Sequence, residues 1–110
     1  MNDLADVKRI VEQYLVKGGQ ILENATELSE AKQAEQIWTD GLAKLKSLKL
    51  APEDRYNLRL LRNAFETSIK AARALQKGQY HKAEMLTGEA SDFGQRYSAY
   101  VIARAVARNG

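Results

Sequence analysis

Apolar residues recur every three or four positions along nearly all of this 110-residue chain. Leu4, Val7, Val11, Tyr14, Gly18, Ile21, Ala25 and Leu28 make one stripe, and Ala31, Ala34, Trp38, Gly41, Leu45 and Leu48 a second. Leu58, Leu61, Phe65, Ser68, Ala72 and Leu75 make a third, and Ala83, Leu86, Ala90, Phe93, Tyr97 and Tyr100 a fourth. An α-helix turns about 100° per residue, so this spacing keeps side chains on one face, which each helix must then bury. The pattern predicts an all-α fold, a single antiparallel four-helix bundle over residues 1–110.

Local chemistry sets the boundaries. Pro52 disfavours helix at Ala51 and suits the first turn of the next one, where Glu53 and Asp54 meet the positive helix N-terminus. Lys44, Lys46 and Lys49 sit at the opposite pole of the preceding helix. Gly78 can take the left-handed conformation that ends a helix, and Tyr80 opens the fourth stripe. The first break has two candidates. Gly18-Gly19 costs about 2 kcal/mol inside a helix. Asn24 with Glu27, or Ser29-Glu30-Ala31, offers capping chemistry instead. The first stripe keeps its phase through Gly18 and slips near Leu28, which favours a break at 24–29. The predicted helices are then 3–24, 29–49, 53–77 and 79–108, and a break at the glycine pair would give 3–17 and 20–49. Short connections make sequential helices antiparallel. The small residues on the stripes allow close helix approach, with Trp38, Phe65 and Phe93 filling the space opposite.

The chain has no cysteine, which removes disulfides, thiol catalysis and thiolate metal sites. Its first residues, Met1-Asn2-Asp3-Leu4-Ala5-Asp6, carry acids where a signal peptide needs bases and an apolar run. No stretch approaches the ~18–20 apolar residues of a membrane span. The expectation is a soluble, cytoplasmic protein with no membrane partner. The net charge of +3 is unevenly spread: residues 1–35 hold seven acids against four bases, and residues 36–76 hold eight bases against four acids. The simplest consequence is an acidic first helix that complements basic neighbours within the bundle.

Little in the sequence points to catalysis. His81 is the lone histidine, and the His81–Glu84 order reverses the Glu-x-x-His pairs of carboxylate metal sites in bundles. Glu12, Glu23, Glu66 and Asp92 lie off the stripes. No phosphate loop, nucleophile elbow or zinc spacing occurs. No enzyme, metal, cofactor or small-molecule substrate is expected. The segment Ala74-x3-Gly78-x-Tyr80-x2-Ala83-x2-Leu86 resembles the inter-helix turn of a tetratricopeptide repeat. No second copy follows at the repeat's period of about 34 residues, so it reads as a generic antiparallel turn.

Two features bear on partners. From Tyr97 to Ala107 the chain is apolar nearly all round, more than an intramolecular face requires. This predicts a protein–protein interface, with a partner or a second copy, through Tyr97, Tyr100, Val101, Ile102 and Val106. Separately, Arg55, Arg59 and Arg62 form a ridge that Arg73 continues, and Arg104 and Arg108 form another beyond the aromatics. Such ridges neutralise phosphates, with a neighbouring aromatic free to stack a base, so nucleic-acid binding is the alternative. A third reading is an inhibitor or immunity-type protein whose acidic first helix meets a basic target.

Overall fold

The structure, a computed structural model, describes residues 1–109. These fold into four helices with no strand among the described residues. Helix α1 runs over residues 4–23 as Leu4–Ile10, a π-helical segment Val11–Val16, and Lys17–Glu23 in unbroken succession. Helices α2, α3 and α4 span Leu28–Ser47, Pro52–Gln76 and Tyr80–Asn109. The bundle predicted from periodicity is what forms.

Capping chemistry explains where each helix begins. Asp3 accepts from the amides of Ala5 and Asp6 while the Asp6 carboxylate returns to the Asp3 amide. Glu27 and Glu30 make the same reciprocal box at the start of α2, reinforced by Thr26. The cap is therefore Glu27, between the two predicted candidates, and Asn24 instead closes α1. Pro52 occupies the first turn of α3, where its missing N–H costs nothing. Gly78 has φ +74°, the left-handed turn between α3 and α4.

The glycine pair does not break α1. Gly18 is buried in the helix interior because α2 crosses there: a Cβ on it would lie 2.6 Å from Trp38 Cε2. The Trp38 indole in turn donates from Nε1 to the Leu15 carbonyl at 3.1 Å. Gly41 plays the same part on α2, where a Cβ would lie 2.8 Å from Phe65 Cε1 and from Tyr14 Cγ. Small residues thus sit opposite large ones, and Phe65 is fully buried as a result.

Packing follows chain order: α1 lies on α2, α2 on α3, and α3 on α4. Helix α3, covered from both sides, buries a broad band that includes Leu58, Leu60, Leu61, Ala64, Phe65, Ile69, Ala71 and Ala72. Helix α4 is different. Over thirty residues it fully buries only Ala83, Ala90 and Tyr97, with Phe93, Tyr100 and Val101 half-buried against the core. At 1.5 Å per residue it spans about 45 Å, and it sets the long axis of a 47 × 22 × 20 Å molecule. Between α1 and α4 the bundle does not close. A groove opens there, floored by Trp38, Ser68 and Ala71.

Candidate interaction surfaces

The C-terminal half of α4 is held down by polar chemistry at the start of α3. Asp54, two residues after Pro52, is only 6 % exposed. The Tyr100 hydroxyl donates to its Oδ1 at 2.7 Å. Arg104, with a side chain 14 % exposed, pairs with Glu53 and places Nε 3.2 Å from Asp54 Oδ1. Tyr97 packs beside Tyr100 with ring centroids 6.0 Å apart, its hydroxyl buried without a partner. Burial pushes the Tyr97 phenol up to about 12, with the Asp54 charge adding to it. The Tyr100 phenol also reaches about 12, from desolvation first and then its bond to Asp54. A charged acceptor makes such a bond stronger than a neutral one.

This cluster corrects part of the predicted interface. Tyr97 is a core residue, and Tyr100 and Val101 are half-buried against the same core. Arg104 is committed to Glu53 and Asp54, so it is not available to a phosphate. Ile102 and Val106 remain, 64 % and 65 % exposed, with Ala105 between them on one strip of the last two turns.

The basic ridge of α3 divides in the same way. Arg73 pairs with Glu35 of α2 at 2.9 Å. Gln76 donates to the same carboxylate at 2.8 Å, and this bond leads in holding the Glu35 carboxyl below its ordinary value against the cost of burial. Arg59 lies 4.5 Å from the centroid of the Tyr56 ring and donates to its hydroxyl. Arg55 and Arg62 are exposed, and with Lys46 of α2 they border a shallow hollow over Leu45, Leu48 and Leu58. None of these three cations has an acidic partner among the described residues. Arg108 is exposed and borders a hollow with Met1, Asn2 and Asp3. The expected complementation by the acids of α1 does not form: Asp6 and Glu12 pair within α1, with Arg9 and Lys8.

Among the described residues no three His, Cys, Asp or Glu side chains converge as a metal group would, and His81 is exposed near the start of α4. No described helix is long and apolar enough to cross a membrane. No family model, curated protein or solved structure matches the chain. One surface escaped the sequence reasoning altogether, the groove between α1 and α4. Gly19 and Gly94 line it, but Gly88 is an equally unexplained helix-interior glycine away from the groove, so glycine positions alone could not have located it.

Proposed function

We propose that this protein is a non-enzymatic interaction module that self-associates, or docks a protein partner, through the end of α4. The observation that carries the reading is the strip of Ile102, Ala105 and Val106, two large apolar side chains left about two-thirds exposed on consecutive turns. Burying each of the two supplies about 1.5–3 kcal/mol gross. A two-fold contact doubles that, because each copy presents the same strip to the other. Set against an association cost of at least ~4 kcal/mol, this gives a weak and reversible dimer. A soluble, cytoplasmic setting accords with the cysteine-free composition. Sedimentation velocity tests the reading: the wild type should dimerise as concentration rises towards about 0.5 mM. Ile102→Asp with Val106→Asp should stay monomeric with an unchanged far-UV spectrum. A wild type that remains monomeric throughout removes self-association.

A second reading has its own observation, the unpaired trio of Lys46, Arg55 and Arg62. Three cations that make no ion pair among the described residues suit a phosphate backbone. In that case DNA or RNA retained on a filter near 50 mM salt is released as salt rises, with a log–log slope of about −2 to −3. Arg62→Ala should reduce that slope by about one. No retention at low salt excludes it.

A further inference from the structure

The groove between α1 and α4 encloses about 600 Å³ and draws its walls from all four helices. That volume lies within the ~300–1,000 Å³ of small-molecule sites, which in bundles form between helices. Its floor is apolar and aromatic, with Trp38 fixed by its bond to the Leu15 carbonyl. Leu15 and Leu22 stand on the α1 side, and Ala90 and Gly94 on the α4 side. Ser68, 7 % exposed, adds a polar side chain to the floor.

Two glycines make this space. Gly18 and Gly41 are explained by the rings packed on them, but a Cβ on Gly19 or Gly94 would meet no atom within 4 Å. Each costs its helix roughly 0.5–1 kcal/mol relative to alanine, and both border the groove. Gly88 has the same open surroundings but lies off the groove, so it is the place of Gly19 and Gly94 on its walls that matters. Their effect is width.

The remaining chemistry is electrostatic. Glu23, the last residue of α1, and Glu84, near the start of α4, both border the groove. In antiparallel helices those positions fall at the same end. Neither carboxylate makes an ion pair or hydrogen bond among the described residues. Both lie off the apolar stripes, so periodicity gives no hint of an oriented ligand there. An apolar channel with an aromatic floor and an anionic mouth is complementary to a molecule with a greasy body and a positive charge. The α1 wall, from Leu15 to Glu23, is about 12 Å long at 1.5 Å per residue. The volume of about 600 Å³ matches a compact small molecule, and a partner helix anchored over two turns is the competing occupant that the test below includes.

We propose that the α1–α4 groove binds a lipophilic organic cation, its apolar body over Trp38 and its charge met by Glu23 and Glu84. Trp38 is the only tryptophan, so its emission reports occupancy directly. The full chain is titrated with tetraphenylphosphonium and, separately, with tetraphenylborate, an anion of the same shape. The expected result is a saturable change with the cation below about 1 mM and affinity at least about tenfold weaker for the anion. Glu23→Gln with Glu84→Gln should weaken the cation by about tenfold. Gly94→Leu, which fills open space, should abolish binding with the circular-dichroism spectrum retained, and Gly19→Ala serves as a milder filling variant if leucine disturbs the helix. Equal response to both ions, binding that survives groove filling, or no saturable response to the cation would each overturn the proposal. So would a basic amphipathic peptide that saturates the groove where tetraphenylphosphonium does not.

Discussion

Two adjacent glycines carry opposite consequences. Gly18 faces the Trp38 ring, so Gly18→Ala forces the indole or its helix to move; the expected loss is about 1–3 kcal/mol in urea denaturation. Gly19 faces open space, so Gly19→Ala should gain about 0.5–1 kcal/mol in the same measurement. Equal signs for the two variants would contradict the packing described for Trp38. At this scale the sequence was only partly legible. Gly18 falls on an apolar stripe, which announces close packing, but the pair also looks like a helix break. Only the position of Trp38 on α2 decides between them. Asp54 was harder still, because an acid in the first turn of a helix is expected from the dipole alone. That Tyr100 and Arg104 reach it across 46 and 50 residues of sequence is a tertiary fact with no local signature.

Among the elements, α4 separates into a docked part and a free end. Its last core-directed group is Arg104, and the residues beyond it are exposed. Deleting residues 106–110 should therefore leave the stability in urea denaturation almost unchanged, within about 0.5 kcal/mol, while abolishing any dimer. Tyr97→Ala is expected to cost about 3–5 kcal/mol, as for other large buried rings. If the deletion destabilised as much as the ring truncation, the free end would be part of the fold and not an interface. The helix boundaries were legible wherever punctuation is unambiguous, as at Pro52 and Gly78. They were less so at 24–27, where Glu27 provides the cap that serine, threonine, aspartate or asparagine usually supplies. The π-helical turn Val11–Val16 leaves the apolar spacing of α1 intact, and so gave no sign of itself.

For the molecule as a whole, the two raised phenols couple stability to alkaline pH. Tyr97 and Tyr100 ionise near 12 in the folded chain against an ordinary value of 10. The folded state thus keeps protons that the unfolded state releases. Their contribution is complete below pH 10 and is lost as pH rises from 10 to 12. Urea midpoints measured across that window should fall, and Tyr97→Phe with Tyr100→Phe should flatten the fall. A decline of the same steepness in the double variant would assign it to other groups. Four amphipathic stripes are enough to specify four helices that pack, and in that sense the fold was readable. Closure was not: whether the first and last helices meet depends on the angles at which intervening pairs cross, which periodicity does not encode.

The strict neighbour-on-neighbour packing of α1 to α4 also governs how the chain finds its fold. Every major interface joins segments linked by a connection of only a few residues, so no long loop has to be closed before native contacts reward it. Such low contact order places this protein among the fast folders. The order of assembly on the ribosome follows from the same geometry. The α1–α2 and α2–α3 hairpins can dock as they emerge, leaving the outer face of α3 bare until α4 emerges to cover it.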